Sequence, residues 1–242
     1  MLRSKTNTAA ASSMSAERYQ RISTFADLRQ ADLTVCLEQV HKPHNVSAVL
    51  RSCDAVGIHT VHAVATDENV MRKDTAMGAE DWVFTQRHGS IQAAVEHFHQ
   101  QKMQVLVTHL DDEAVDFREI DYTLPTAIIL GQEKFGATPE ALALADKKII
   151  IPMVGMVQSL NVSVAAALVL YEAQRQRQQA GLYQRNQLSF EQRQILLFKG
   201  GFPRLYALCE KKGIGHPPID ESGKIVAGPE WWQQLQFSEK HK

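Results

Sequence analysis

The sequence predicts an α/β fold: a mostly parallel sheet with helices on both faces, and extra helices at the N- and C-terminal ends. Three observations predict it. Strand and helix signals alternate from residue 32 onward, the pattern of strands joined by helical crossovers. Three apolar runs, at residues 105–107, 128–130 and 149–151, lead straight into polar, Gly- or Pro-containing loops. Residues 149–179, IIIPMVGMVQSLNVSVAAALVLYEAQRQRQQ, read as a buried strand, a break at Pro152 and Gly155, and a long helix from about Asn161. That helix is apolar nearly all round over residues 162–170, so it is expected to be buried on every side.

In chain order, a short helix opens at about Ala16 and a strand covers residues 33–40. A helix over 45–56 is closed by Gly57, and the β-branched run 60–65 is a strand. Residues 90–101 are helical, 104–108 and 126–130 are strands, 138–144 a short helix and 148–151 a strand. After Gln179 only short helical candidates remain, at 189–198, 203–211 and 229–236. They carry too little apolar surface for a domain of their own and are expected to dock on the core or on a partner. The chain thus divides into a disordered tail (1–15), a main domain (16–179) and a helical extension (180–242). The tail is polar, basic and free of acids; it resembles a transit peptide in composition, and the simpler readings are a disordered segment or a true start at Met14 rather than Met1.

At 242 residues, 44% hydrophobic and 22% charged, the composition is that of a soluble globular protein. No apolar run approaches the roughly 18 residues needed to cross a bilayer. Three cysteines without a CxxC pair suit a reducing cytoplasm better than a disulfide framework. The net charge of −1 is unevenly distributed: +3 over residues 1–30, −8 over 31–171, +5 over 172–213 and −1 over 214–242. Arg175, Arg177, Arg185, Arg193, Lys199, Arg204, Lys211 and Lys212 are then either a phosphate-binding surface or a solvated helical face.

If the strands are parallel, the loops at Thr108-His109, Gly131-Gln132-Glu133 and 152–155 open on one edge of the sheet, where ligands of such sheets bind. Backbone groups there suit a flat polar ring, with Met153, Met156 and Leu160 as an apolar cover. The alternative is three ordinary turns. No G-x-G-x-x-G is present, and the four-residue gap from Gly131 to Gly136 is followed by Ala137 and Thr138, so neither a dinucleotide nor a nucleotide phosphate is provided for. A metal is not expected: His41 and His44 flank Pro43, and His97 and His99 diverge on a helix. On helix 45–56, Val46, Val49, Leu50 and Cys53 form the apolar stripe, Arg51 falls away from it, and Asn45 stands at the N-cap position.

Three segments, HNVSAVLRSCDAVG, AIILGQEKFG and IIIPMVGMVQSLNVSVAAALVLYE, resemble the three motifs of the SpoU-type branch of the SPOUT RNA methyltransferases, over about residues 16–236. LEQVHKPHNVSA, THLDDEAVDFREIDY and the C-terminal Trp pair are similar to the TrmH-type members of that branch, which methylate the ribose of guanosine 18 in the tRNA D-loop. The resemblance implies a C-terminal trefoil knot, S-adenosylmethionine as cofactor, tRNA as substrate, and a homodimer in which each site is completed by the neighbouring subunit. It puts Asn45, Arg51, Glu133, Ser159 and Asn161 on functional motif positions, and Thr108, Leu130, Gly131, Ile151, Met156 and Leu160 around the cofactor.

Arg51 is implied to activate the 2′-hydroxyl. Arginine's pKa exceeds about 12, so use as a neutral base near pH 7 costs roughly 7 kcal/mol, and a charged donor is the better reading. Glu133 orients Arg51 or Asn45, or is a helix-start acid; Ser159 and Asn161 cap the long helix, touch substrate, or both. The rival functions are a ribosomal RNA ribose methyltransferase, a catalytically silent RNA-binding protein of the same fold, and a generic small-molecule binder.

Overall fold

The computed structural model describes residues 12–64, 78–111 and 113–236. Among the described residues the predicted alternation becomes seven strands: β1 (Leu33–Glu38), β2 (Thr60–Val64), β3 (Phe84–His88), β4 (Gln104–Thr108), β5 (Val115–Asp116), β6 (Thr126–Leu130) and β7 (Lys147–Ile150). They pair in the order β3-β2-β1-β6-β4-β7-β5, every pairing parallel. The helices are α1 (Ala16–Asp27), α2 (Pro43–Ala55), α3 (Ile91–Gln100), α4 (Pro139–Leu144), α5 (Val162–Gln179), α6 (Phe190–Gly201), α7 (Pro203–Lys212) and α8 (Pro229–Gln236).

Strand alternation divides the core between two faces. Leu33, Val35 and Leu37 of β1, with Leu106, Ile128 and Leu130, pack against α2 and α5. Cys36, Val105, Val107, Ala127 and Ile129 point the other way, to Ile91, Ala94, Val95 and Phe98 of α3 and Ala141 of α4. The sheet is covered on both faces, as its apolar central strands require. β3 and β5 escaped the sequence reading because both are edge strands: β3 is polar and largely exposed, and β5 has two residues.

Two expectations are corrected here. α5 is not buried on every side: Val162, Ala166, Val169, Leu170 and Ala173 are buried, but Val164, Leu168 and Tyr171 are 47%, 42% and 53% exposed. Its inner face meets the sheet and α2, which occupies only part of its circumference. Asn45 is not an N-cap. α2 starts at Pro43 with Lys42 at the cap, because proline lacks the N–H that the first helical position leaves unpaired anyway. The cap of α5 is Asn161, as expected, and Ser90 and Thr138 cap α3 and α4. Residue 65, the expected end of the second strand, lies outside the described residues.

The chain forms two compact units, divided at Leu28/Arg29 and Gln187/Leu188. Residues 29–187 carry the sheet. The other unit joins α1 to the C-terminal helices, so α1 does not group with the expected main domain. There Arg18 donates twice to the Gly200 carbonyl, and Arg193 bonds Asp27 and Ser23. Residues 12–15, expected in the tail, are placed: Ser13 bridges Lys224, Met14 is buried, and Ser15 caps α1. Residues 1–11 lie outside the described residues.

The basic residues of 172–213 do not form one solvated face. Arg177 is fully buried. Its guanidinium donates to the Tyr122, Asp32 and Leu124 carbonyls and to the Gln30 and Asp32 side chains. Arg175 pairs with Glu172, Lys199 is buried, and Lys212 caps the carbonyls of Gln234 and Leu235. Arg185, Arg204 and Lys211 are exposed.

Candidate active site

The three strand ends do converge. The segments following β4, β6 and β7 open on one edge of the parallel sheet and line a cavity of about 360 Å³. Residues 108–110, 131–136 and 149–151 contribute from the strand ends; Met153, Gln158, Ser159, Leu160, Val162 and Ala165 close it from the following segment and the start of α5. Its lining combines apolar Ile149, Ile151, Leu160, Val162 and Ala165 with polar Thr108, Gln132, Glu133 and Ser159. Beside it, Lys148 Nζ donates to Asp111 Oδ2 at 2.7 Å, which holds that carboxyl below the usual carboxylate range.

A polar relay joins this cavity to α2. Asn45 is buried, and its Nδ2 donates to Glu133 Oε1 at 2.5 Å. Its Oδ1 accepts from Asn161 Nδ2 at 3.2 Å. Asn161 Oδ1 in turn accepts from the Ser163 backbone N–H at 2.8 Å, which is the α5 cap. One buried amide therefore links the start of α2, the loop after β6 and the start of α5.

Backbone geometry fixes that loop. Gly131 is required because a Cβ there would fall 2.1 Å from the Ala137 nitrogen. Gly136 takes a left-handed φ of 71°. Glu38, buried at the end of β1, accepts from the Thr138 N–H and hydroxyl, and Gln132 donates to Gln39. Sequence reading missed Glu38 and Gln39. The available signal was an acid ending an apolar run, LTVCLE, at the same sheet edge as the other loops.

Of the residues expected around the cofactor, Thr108, Gly131, Ile151 and Leu160 line the cavity. Leu130 is fully buried in the core and does not line it. Met156 is 99% exposed and outside the lining, whereas Met153 of the same segment lines the cavity. Of the expected catalytic residues, Glu133 and Ser159 line the cavity, and Asn45 and Asn161 reach Glu133 through the relay. Arg51 is on the exposed side of α2, outside the lining.

Residues 32–171 match the model of the SpoU rRNA Methylase family, and residues 175–228 match that of its C-terminal region. The chain belongs to the SpoU methylase family. Among relatives of this SpoU chain, the tRNA (guanosine(18)-2'-O)-methyltransferase of Escherichia coli (strain K12) is 55% identical over 226 residues, 92% of this chain and 99% of that one. The A. aeolicus TrmH/SpoU tRNA modifying enzyme superposes with a TM-score of 0.69 at 40% identity, covering 77% of this chain and 96% of that one. The AdoMet-bound rRNA methyltransferase from Sinorhizobium meliloti superposes with a TM-score of 0.54 at 28% identity, over 62% and 59% of the two chains.

Proposed function

We propose that this protein transfers the methyl group of S-adenosylmethionine to the 2′-oxygen of guanosine 18 in the D-loop of tRNA. The observation that carries the reading is the Asn45–Glu133–Asn161 relay beside a cavity at three parallel strand ends, in a chain 55% identical to a guanosine-18 methyltransferase. The cavity suits the cofactor: apolar residues 149, 151, 160 and 162 fit a flat ring, and polar Thr108, Gln132, Glu133 and Ser159 line the same cavity. When bound, S-adenosylmethionine supplies an electrophilic methyl on a cationic sulfur.

The protein's share of the work is alignment and charge. Holding two reactants in line is worth about 7–11 kcal/mol. Arg51 acts as a charged donor that holds a backbone phosphate and favours the ribose alkoxide; the neutral form is too costly. Glu133 orients Asn45 by a charge-assisted hydrogen bond. Ser159 contacts the substrate at the cavity, and Asn161 both caps α5 and fixes Asn45.

The working protein is proposed to be a homodimer. Val164, Leu168 and Tyr171 recur at helical spacing on the exposed side of α5, which supports a second copy seated there. α2 packs beside α5, so Arg51 lies on a helix next to that face and completes a site shared with the neighbouring subunit. A C-terminal trefoil knot is proposed for the segments around the cavity. Residues 180–242 are proposed to bind tRNA, with exposed Arg185, Arg204 and Lys211 as phosphate contacts. No helix of the described residues is long and apolar enough to cross a membrane. A cytoplasmic location is proposed from the tRNA substrate.

The test is transfer of labelled methyl to two tRNA transcripts, one with guanosine and one with 2′-deoxyguanosine at position 18. Label in the first alone, mapped to residue 18, is expected. Equal label in both rejects the proposed acceptor; in a parallel reaction with ribosomal RNA, label there and in neither tRNA favours the rival substrate.

A further inference from the structure

The turn from Gln132 to Gly136 is held from both ends. Gln132 and Gly136 exchange backbone hydrogen bonds in both directions, at 3.1 and 2.9 Å. The Gln132 side chain is tied to Gln39, and Thr138 to Glu38. Three residues are left at the tip: Glu133, Lys134 and Phe135. Glu133 is engaged by Asn45. Phe135 lines the cavity and is nonetheless 71% exposed. Lys134 Nζ stands 5.0 Å from the centroid of its ring.

Scattered exposed apolar side chains are ordinary. Phe135 differs in its placement: it sits on a braced turn, next to the carboxylate that orders the relay, at the mouth of the cavity. The cation over the ring restrains its orientation while leaving most of its surface in water.

The next step rests on the function proposed above. A ribose that presents its 2′-oxygen to this cavity brings its base to the mouth. A nucleotide drawn out of a folded RNA gives up its stacking, which costs a few kcal/mol unless the protein replaces it. We propose that Phe135 is the platform on which the base of the target nucleotide stacks while its ribose is methylated. Stacking tolerates any base, since every base has a π-face. Phe135 therefore positions the nucleotide, and the choice of guanine is made by other groups.

The experiment measures binding of two tRNA transcripts, with guanosine or an abasic ribose at position 18, to the full chain saturated with S-adenosylhomocysteine. Wild type is expected to prefer the guanosine transcript by at least about 5-fold, the low end of stacking one base on an aromatic ring. Phe135→Ala and Phe135→Leu should weaken binding of the guanosine transcript by about 5- to 150-fold, the stacking share of that preference, and leave the abasic one unchanged. Phe135→Trp should retain the preference and show indole quenching with the guanosine transcript alone. Equal weakening of both transcripts, or no weakening of either, overturns the platform. The parent reading is checked separately: a wild-type chain that methylates position 18 while Phe135→Ala binds normally sinks the platform alone, and a wild-type chain that leaves position 18 unmodified sinks both.

Discussion

Asn45 and Glu133 lie 88 residues apart in the sequence, and the amide of one donates directly to the carboxylate of the other. Asn161 reaches the same amide from the start of α5. The three segments that resemble family motifs thus meet at one buried side chain. Its donor and acceptor are both engaged, which fixes its orientation. A carboxylate acceptor makes the stronger of the two bonds.

Removing the charge without changing the shape tests that relay. Glu133→Gln is expected to reduce kcat about 100-fold, the scale of a small misplacement of reacting groups. Affinity for S-adenosylhomocysteine, measured by calorimetry, should change little. Asn45→Ala should behave alike. Wild-type kcat in either variant would separate the relay from catalysis.

Arg177 belongs to the fold rather than to an RNA surface. Its guanidinium is held by Gln30, Asp32, Tyr122 and Leu124. Arg177→Met is expected to lose about 1–3 kcal/mol of stability, the usual cost of leaving a buried hydrogen-bonding group without its partner. Denaturant titration reads the loss, and tRNA affinity at low temperature should be unchanged. Arg204→Ala with Lys211→Ala should do the reverse: normal stability, weaker tRNA binding and a shallower salt dependence.

The exposed face of α5 predicts the oligomeric state. Leu168→Glu places a charge among Val164 and Tyr171, where the desolvation cost of a second copy would be prohibitive. Light scattering should show a dimer for the wild type and a monomer for Leu168→Glu, with methyl transfer lost. A dimeric variant of full activity would move the interface elsewhere.

A pH effect arises away from the cavity. His62 is buried, with its Nδ1 2.8 Å from His88 Nε2 and its ring packed against His97 and Phe98. Burial first, then the neighbouring His88 and His97, push its pKa down to about 3. The folded state binds its proton later than the unfolded state, whose ordinary value is about 6.5. Stability is therefore full above about pH 6.5 and declines as pH falls toward about 3, by up to roughly 1.4 kcal/mol per unit. His62→Leu should flatten the dependence of Tm on pH between 4 and 6.5; an unchanged slope would assign it to other groups. Among the described residues, no group of three or more His, Cys, Asp or Glu is arranged to hold a metal.

Much of the framework was legible in the residues. β4 and β6 were readable at their full bounds because each is a short apolar run that turns polar where the strand ends. The convergence of three loops followed from parallelism alone. What local pattern could not convey was long-range pairing. Asparagine serves equally well as a helix cap and as a relay, and only the fold decides that Asn161 does both while Asn45 does not cap. Arg177 looked like a surface base because its side-chain partners are about 150 positions away. The choice of Met153 over Met156 depends on bends that have no periodicity. An apolar face on α5 was visible, but not which part of it the same chain covers.

The most direct measurement is single-turnover methyl transfer to tRNA by Arg51→Ala, with labelled S-adenosylmethionine already bound. The predicted result is normal cofactor occupancy and a rate reduced at least about 100-fold. Transfer at the wild-type rate from a loaded Arg51→Ala enzyme would contradict the account.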